Sequence, residues 1–389
     1  MTDSAVAQGR LFYLDNLRVA LVILVALHHI AIVYSAVAPF YYVEPPFGFP
    51  GDFTVLATFA LFNQAWFMGT LFLIAGYFTP GAFDRTGAGG FVRSRLKRLG
   101  VPILLSIFIV SPLAATGYWL MPQQLTGISD PLTWGAYPAL WGIGVLWFAA
   151  LLLVFGLGYS IWRVLIGDMG DWPGAASRLS LRGIALFTVS IAVLSYLLRY
   201  VVPLDREITA FVYVLKFPSL AYLPQYLGLF LAGILAYRRN WLSDLPTSFG
   251  ILGFLAATVA TVLLYPLALT GEMFTVAFSE TRPYVGHGHW RSAVYAAWDS
   301  IMAVGLSLGC VALFRALLNG GGRIARFLSR HSYTVYVIHT PIVVYLAYAL
   351  RSVTLAPLPK AALAALIIVP AVFTAAWIVR KLPCASEVL

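Results

Sequence analysis

The stretch Asp15-Asn16-Leu17-Arg18-Val19-Ala20-Leu21-Val22-Ile23-Leu24-Val25-Ala26-Leu27-His28-His29-Ile30 decides the fold. It predicts a membrane-spanning helix with a charged start and two histidines deep inside an apolar run. Polar side chains are costly in hydrocarbon, so each one indicates a functional site. Arg18 and His29 share one helix face, with His29 about 16 Å deeper. Asp15 can pair with Arg18, whereas His28 points about 100° away from His29.

The composition predicts a polytopic membrane protein. Of the 389 residues, 61% are hydrophobic and 10% are charged, whereas a soluble domain carries about 25% charged residues. The net charge of +10 would suit nucleic acid, but in a membrane chain basic residues set topology and contact lipid headgroups. We therefore expect the lipid bilayer, and no nucleic acid, as a partner. Residues 1–10 lack a cleavable pattern, so we expect the first apolar run to be retained.

Ten apolar runs are long enough, or nearly so, to cross about 30 Å of hydrocarbon. They cover residues 17–37, 54–78, 99–121, 137–162, 183–202, 219–237, 249–269, 292–314, 332–350 and 361–379. Between the fifth and sixth runs, Ile208–Lys216 is expected to be a short interfacial helix or part of a span. We predict an all-α fold, in which a single integral membrane domain, residues 1–389, places about ten transmembrane helices around a central cavity.

The basic residues predict the orientation of these spans. If the N-terminus is cytoplasmic, 18 of the 25 Lys and Arg residues fall in cytoplasmic segments. The other seven are Arg199, Arg206, Lys216, Arg282, Arg291, Arg351 and Lys360. This bias is the positive-inside pattern, and it predicts both termini on the cytoplasmic side of the inner membrane. The sequence shows no convincing internal repeat, which argues against a transporter built from inverted repeats.

Arg18 and His29 are the first candidates for chemistry. A neutral imidazole in a dry site can take a proton from a hydroxyl as a general base. A fixed cation beside it can orient a carboxylate or stabilise negative charge. The structural alternative is an arginine that snorkels to the interface and a histidine that is hydrogen-bonded between helices.

The segment Arg93-Ser94-Arg95-Leu96-Lys97-Arg98 lies at the predicted cytoplasmic start of the third span, just before Pro102. Arg95 and Arg98 are three residues apart, so on a helix they can face one pocket. Paired guanidinium groups bind phosphates well. They are therefore candidates for binding a phosphorylated donor, although such clusters also serve only to fix topology.

Buried polarity recurs in the ninth and eighth spans. In the segment Ser332–His339, Tyr333, Tyr336 and His339 follow one another at a spacing of three. His339 is expected at a depth comparable to that of His29, so the two histidines could line one cavity. The tyrosines could equally serve as polar contacts between helices. Asp299 lies within the eighth span and requires a cation, a histidine or a hydroxyl as partner. We take these four residues as candidates for lining the cavity.

The remaining motifs point to no metal site. Glu280-Thr281-Arg282 and His287-Gly288-His289 lie in the segment 270–291, which we interpret as a polar loop near the acceptor's point of entry. The His-x-His spacing can bind metal, but nothing completes a zinc set. Cys310 and Cys384 suggest neither a disulfide framework nor a metal site. The sequence contains no phosphate-binding glycine loop, HExxH or GxSxG.

Taken in order, these motifs resemble the acyltransferase-3 family of integral membrane acyltransferases. Asp15, Arg18 and His29 match the family's Asp-x-x-Arg opening and Arg-x10-His pattern. Further similar segments are 69–78, Arg95 to Arg98 followed by a proline, Leu146-Trp147-Phe148, and Ser332 to His339. The resemblance runs from Asp15 to about Pro341, and it covers most of the chain.

The resemblance implies a membrane O-acyltransferase. It would move an acetyl or succinyl group from cytoplasmic acyl-CoA to a hydroxyl of a glycan or another envelope or secreted acceptor. His29 would be the catalytic base, with Arg18 and Asp15 in support, and Arg95 and Arg98, with Arg93, would contact the donor.

No tightly bound cofactor is expected, because acetyl-CoA or succinyl-CoA is a co-substrate. Direct transfer is favoured over an acyl-enzyme, since neither cysteine belongs to a motif. Two further hypotheses stay open. One is a proton-coupled transporter that uses His29, Asp299 and His339. The other is a non-enzymatic membrane scaffold or sensor.

Overall fold

The computed structural model describes residues 11–45, 48–167, 179–206, 208–210, 215–217, 220–269, 283–383 and 385–389. The helices are α1 (Phe12–Ser35), α2 (Pro50–Arg95), α3 (Val101–Leu105), α4 (Ser111–Ala115), α5 (Gln123–Thr126), α6 (Trp147–Ile166), α7 (Leu181–Val201), α8 (Leu223–Arg238), α9 (Thr247–Leu269), α10 (Trp290–Leu317), α11 (Arg323–Ala349), α12 (Pro357–Val379) and α13 (Ala385–Val388). Two π-helical segments join α2, α3 and α4, so the chain stays helical from Pro50 to Leu120.

Eight helical segments of the described chain are long and apolar enough to cross a membrane. They are Phe12–Ser35, Pro50–Leu120, Trp134–Ile166, Leu181–Val201, Leu220–Arg238, Thr247–Leu269, Trp290–Leu317 and Pro357–Val379. The predicted all-α polytopic membrane fold is confirmed. Pro50–Leu120 is 71 residues long and contains two predicted spans. Helix α11 covers residues 332–349 of the predicted span 332–350. It is not among the eight, because polar residues such as Tyr333 and His339 lower its hydropathy. The ten-span topology stays a prediction.

A glycine divides the long segment into two helical arms. Gly87 has φ 66° and ψ 175°, which is not helical. Glycine adopts this conformation readily because it has no Cβ. The predicted spans 54–78 and 99–121 lie on either side of this kink.

The expectation for Ile208–Lys216 is wrong. The structure has two three-residue strands there, Ile208–Ala210 and Leu215–Phe217, paired antiparallel with Ile208 opposite Phe217. The sequence Ile208–Phe217 is rich in β-branched and aromatic residues, which suit a strand better than a helix. Two short antiparallel strands therefore precede α8.

Helix α1 occupies the centre of the bundle. It packs against α2, α10, α11 and α12, and most of its apolar side chains are buried. Helices α7 and α9 lie at the periphery and expose apolar side chains such as Leu186, Val193 and Val262. In a membrane, these exposed faces contact lipid. The two histidines of α1 are therefore held among protein side chains and away from lipid.

The two ends of the bundle differ. At the end where α1 begins, called the basic end, Arg163 and Arg238 both pair with Asp84, at 3.0 and 2.9 Å. At the end where α1 finishes, called the cavity end, Lys360 anchors the segment 36–45, since its Nζ lies 2.5 Å from an oxygen of Glu44. The predicted donor-binding and acceptor-binding residues can be placed relative to these two ends.

Candidate active site

A cavity of about 1060 Å³ extends from the cavity end of the bundle down to His28 and His29. Its walls come from α1, the loop 36–45, α2, α11, the segment Tyr118–Ile128 and the start of α6. Tyr222 and Tyr295, from beside α8 and from α10, close another side. Since loops surround its outer part, the cavity provides access to His29 from the end opposite Arg18.

Hydrogen bonds fix the tautomer of His29. Its Nδ1 lies 2.9 Å from the carbonyl oxygen of Val25, one helical turn earlier. A carbonyl oxygen can only accept, so Nδ1 carries the proton and donates. In the neutral ring, Nε2 therefore keeps its lone pair, and the structure gives Nε2 no hydrogen-bond partner among the described residues.

A second imidazole supports the first. His339 Nδ1 lies 2.8 Å from the carbonyl oxygen of Tyr336, so it also donates, and the lone pair of this ring is on Nε2. That Nε2 lies 3.1 Å from His29 Nδ1. The Nδ1–H of His29 thus points to two acceptors, the Val25 carbonyl and the His339 lone pair.

This arrangement suits His29 to act as a general base. When Nε2 takes a proton, the ring becomes a cation whose Nδ1–H remains hydrogen-bonded to the Val25 carbonyl and to His339. A hydrogen bond from a charged donor is stronger than one from a neutral donor. The two acceptors therefore stabilise the protonated ring more than the neutral one, as the third member of a catalytic triad does.

The segment 36–45 covers His29 from the cavity end. Phe40 stacks on the imidazole with ring centroids 5.0 Å apart and an interplanar angle of 26°. The loop is anchored through Glu44, which accepts a hydrogen bond from Tyr42 at 2.9 Å in addition to the Lys360 ion pair. Burial and the nearby carboxylate of Glu44 raise the pKa of Tyr42, so its hydroxyl stays protonated and donates. Phe40 is thereby held above the reactive nitrogen.

Tyr336 joins the cavity wall to the turn before α6. Its hydroxyl donates to the Val145 carbonyl at 2.5 Å, and both Tyr336 and Trp147 line the cavity. The turn requires Gly144, whose φ is +54° and whose added Cβ would lie 3.0 Å from Tyr41 Oη. The segment 146–148, similar to the family's fourth span, thus belongs to the site.

Arg18 and Asp15 lie away from this cavity. Arg18 pairs with Asp15 at 2.9 Å and also donates to Ser329 Oγ at 3.2 Å. Arg18 and His29 both contact α11, so they do share one face of α1. Ten residues lie between them along the helix, and at 1.5 Å for each of the eleven steps they are still about 16 Å apart. Sequence analysis expected the Arg18 cation beside the His29 imidazole, but His29 lines the cavity and Arg18 does not.

The basic segment lies at the basic end, and its arginines differ in exposure. Arg93 and Arg98 are exposed, whereas Arg95 is half-buried. The Arg95 guanidinium donates to Thr79 Oγ1 at 3.3 Å and lies over the Phe91 ring, 4.9 Å from its centroid. The rim therefore offers exposed cations, with one guanidinium directed into the bundle.

Of the four predicted lining residues, Tyr336 lines the cavity, and His339, Tyr333 and Asp299 do not. His339 contacts the site through His29. Tyr333 donates to the Arg98 carbonyl at 2.6 Å, and so connects α11 to the basic segment. Asp299 is fully buried and has the cationic partner that its position requires.

That partner is Arg199, which sequence reasoning placed among the outer topology charges. Its Nη2 lies 2.5 Å from Asp299 Oδ2, and both side chains are almost completely inaccessible. The guanidinium is flanked by the rings of Tyr222 and Tyr295, 5.1 and 5.5 Å away. The position of Arg199 inside the predicted fifth span, 183–202, could have identified it as a candidate partner.

Phe40, Gln64, Trp147 and His28 were also missed as site residues, and all four line the cavity. His28 was expected on another face, and it does pack against Phe67 of α2 with ring centroids 5.1 Å apart. The cavity is wide enough to reach both faces. The double histidine was the signal that could have identified it.

The other motifs have structural roles or lie outside the description. His289 caps α10 by accepting a hydrogen bond from the Arg291 amide at 3.2 Å. Residues 270–282, with Glu280, Thr281 and Arg282, and Cys384 lie outside the described residues. Cys310 is a half-buried free thiol. Within the described ranges, no three His, Cys, Asp or Glu residues are grouped so that they could hold a metal ion.

Comparison with known proteins identifies a family for this chain. The sequence model of a protein family, described as an acyltransferase domain, matches residues 11–381. This range includes the described site from Arg18 to His339. No curated protein matches the chain at a significant level.

Proposed function

The chain belongs to the acyltransferase-3 family and is an acyltransferase of the membrane, and we propose that it transfers an acetyl or succinyl group from acyl-CoA to a hydroxyl acceptor. The acceptor is a glycan or another envelope or secreted molecule. The observation that carries the proposal is the Nε2 lone pair of His29 at the floor of a cavity. A base held in one tautomer there can activate a hydroxyl.

The shape and chemistry of the cavity support an acceptor with hydroxyl groups and apolar faces. Phe40, Tyr118 and Trp147 contribute aromatic rings to the cavity wall. Gln64 and Asp205 add polar groups to the wall. Aromatic faces can pack on the C–H faces of a sugar ring while polar groups take its hydroxyls, so a glycan fits this lining.

The basic end supports an anionic donor. Arg93 and Arg98 are exposed there, and Arg95 points from the rim toward the bundle. Guanidinium groups bind the phosphates of acyl-CoA through charge-assisted hydrogen bonds. The acyl arm then extends past Tyr333 and Tyr336 toward His29. With the N-terminus cytoplasmic in the inner membrane, donor and acceptor meet from opposite sides and the acyl group moves outward.

The transfer step requires one base, which is His29. His29 Nε2 takes the proton of the acceptor hydroxyl while the hydroxyl oxygen attacks the thioester carbonyl. A new C–O bond forms, and the C–S bond breaks as the tetrahedral intermediate collapses. The CoA sulfur leaves with the proton that His29 took, which returns His29 to the neutral form.

The transporter hypothesis receives less support from the contacts. It requires His29, Asp299 and His339 to form one proton path. His29 and His339 do touch, but the described hydrogen bonds of Asp299 go to Arg199 and Ser300. The three groups are therefore not one hydrogen-bonded chain, and family membership favours the enzyme.

A two-sided transfer assay tests the proposal. Protein in vesicles is given labelled acetyl-CoA or succinyl-CoA on the side of the basic end and methyl pyranosides on the other side. The expected result is acylated glycoside on the acceptor side with one CoA thiol released per product. The variant His29→Asn should abolish both the acylated glycoside and the release of CoA thiol.

The matched control is His287→Asn, which changes a histidine at φ +57° to a residue that tolerates this conformation. It should keep the native rate. Glycoside that crosses the membrane without thiol release would instead support transport. Thiol release that is equal in His29→Asn and the native protein would contradict the proposal.

A further inference from the structure

One carboxylate belongs to the wall of the cavity. Among the described residues that line it, Asp205 is the only Asp, Glu, Lys or Arg. Asp205 is also exposed, so a molecule in the cavity can reach it. Apart from the two histidines, the other lining residues are apolar, aromatic or neutral polar ones. The described wall therefore carries one formal negative charge and no formal positive charge.

Backbone hydrogen bonds attach Asp205 to the cavity wall. It lies in the turn 203–206, which follows α7 and is closed by an amide-to-carbonyl hydrogen bond of 3.1 Å. Within this turn, the Leu204 amide donates to the Val285 carbonyl, also at 3.1 Å. Val285 follows Tyr284, and both line the cavity. The turn that carries the carboxylate is therefore fixed to a second part of the wall.

No described group neutralises this carboxylate. The structure gives Asp205 no hydrogen bond or ion pair among the described residues. The adjacent cation, Arg206, instead donates to the Val201 carbonyl at 3.3 Å. Arg199, one turn earlier on α7, pairs with Asp299 and is inaccessible. The charge of Asp205 is thus available to a molecule in the cavity, and it favours a group of opposite sign.

The aromatic rings of the wall also favour a cation. Tyr118, Trp147 and Tyr284 line the cavity together with Asp205. The faces of tyrosine and tryptophan rings attract ammonium groups. An anionic sugar would meet neither a lysine nor an arginine in the described wall. The charge and the rings therefore select for the same kind of ligand.

We infer that Asp205 binds a cationic group of the acceptor, so the acceptor is a hydroxyl compound that carries a protonated amine, such as an amino sugar. This inference rests on the proposed transferase function. His29 takes the proton of a hydroxyl, while Asp205 holds the ammonium group of the same molecule. A cavity of about 1060 Å³ is large enough for a drug-sized molecule. An ammonium nitrogen has no lone pair, so it cannot attack the thioester, and the product is an ester.

The test compares three glycosides that differ at one carbon. Methyl glucosaminide carries an ammonium group there, methyl N-acetylglucosaminide a neutral amide and methyl glucopyranoside a hydroxyl. Each is offered with labelled acetyl-CoA at a pH at which the amine is protonated. The native protein should acetylate the glucosaminide with a kcat/KM about tenfold or more above that of the neutral glycosides, as one hydrogen bond between charged groups provides. Equal values for the three, or an amide as the product, would overturn the inference.

Variants of Asp205 show whether the preference comes from its charge. Asp205→Asn keeps the shape but not the charge, so it should acetylate the three glycosides with similar kcat/KM. Asp205→Lys should reverse the preference, so that methyl glucuronoside, an anion, becomes a better acceptor than the glucosaminide. The inference is wrong if Asp205→Asn keeps the native preference.

The matched control is Asp130→Asn. Asp130 is exposed and follows the lining segment Tyr118–Ile128, but it does not itself line the cavity. Its variant loses the same charge and should keep the native preference. An equal loss of preference in Asp130→Asn and Asp205→Asn would overturn the inference, because overall charge would then account for the selection.

A binding measurement separates this inference from the proposed chemistry. In His29→Asn, the glucosaminide should still raise the Tm more than methyl N-acetylglucosaminide does, and addition of Asp205→Asn should abolish the difference. Equal shifts with the two glycosides in His29→Asn would overturn the inference. Failure of the proposed function has another result, which is release of CoA thiol that is as fast in His29→Asn as in the native protein.

Discussion

The His29–His339 pair and the Arg199–Asp299 pair both lie inside the bundle, and they differ in whether a group stays available for chemistry. His29 and His339 touch at 3.1 Å, and His29 keeps a lone pair beside a cavity. Arg199 and Asp299 touch at 2.5 Å and are closed off from solvent. The imidazole pair retains a capacity to bind a proton, whereas the charges of the ion pair neutralise each other. Buried polarity therefore indicates chemistry only where a group stays available.

The two pairs differ because a buried charge and a buried neutral ring need different partners inside a membrane protein. Inside a membrane protein a charge must be paired, because hydrocarbon offers it no partner. Asp299 and Arg199 meet this requirement through each other and join α10 to α7. A neutral imidazole has no charge to neutralise, so two backbone carbonyls are enough to orient the histidines. The comparison predicts activity losses at one pair and stability losses at the other.

The largest effect is expected for His29→Asn. Removal of the base should lower kcat by about 10²–10⁴-fold, the usual contribution of general base catalysis. The Tm in detergent should stay close to that of the native protein, because the side chain faces a cavity. Release of CoA thiol and a melting curve provide the measurement. A variant with native kcat would remove His29 from the chemistry.

Asp299→Asn should have the opposite profile. It leaves the Arg199 cation buried and unpaired, which costs about 3–5 kcal/mol in the free energy of unfolding. The kcat of the protein that remains folded should not change. The matched control replaces both partners, Arg199→Met with Asp299→Leu, and should recover much of the stability. A loss of kcat without a loss of stability would contradict this prediction, because the ion pair would then act in catalysis, as the imidazoles are proposed to do.

His339→Phe tests whether the second imidazole positions and stabilises the first. Loss of one hydrogen bond to a charged group costs about 1.5–3 kcal/mol, which lowers kcat about 10- to 100-fold. The KM for the acceptor should not change, since His339 does not line the cavity. His339→Gln, which can still accept from His29 Nδ1, should recover part of the rate. A rise in acceptor KM with unchanged kcat would contradict this role.

The smallest effect is expected at the rim. Arg98→Gln should raise the KM for acyl-CoA about tenfold, with kcat and Tm unchanged, because the proposed phosphate contact is all that this exposed guanidinium would lose. Arg85→Gln removes the same charge from another exposed position at the basic end and serves as control. Steady-state rates at several donor concentrations give both constants. Equal changes of KM in the two variants would contradict a specific donor contact at Arg98, because the net positive charge of the basic end would then account for the effect.

Much of the fold could be predicted because it follows from local pattern. Apolar runs long enough to span a bilayer identify helices whatever their neighbours are. The exception was Ile208–Lys216, where a short run allows either a strand or a helix and pairing decides. The kink at Gly87 also needed the structure, since many glycines in helices cause no kink.

The candidate site was predicted in part. Helical periodicity placed Arg18 and His29 on one face, and both contact α11. Periodicity could not show where a cavity opens. The sequence analysis therefore assigned Arg18 to the site beside His29 and left His28 out of the site. It also could not pair Asp299 with Arg199, because these residues are 100 positions apart in the chain.

The sequence by itself determined that the chain is an all-α membrane protein and that His29 is a polar group deep in its first helix. These properties depend on residue type and spacing along one helix. The tertiary structure alone decided which nitrogen of His29 is available, which buried groups neutralise each other and from which end the cavity is reached. Those properties depend on contacts between helices, which packing sets and local pattern does not.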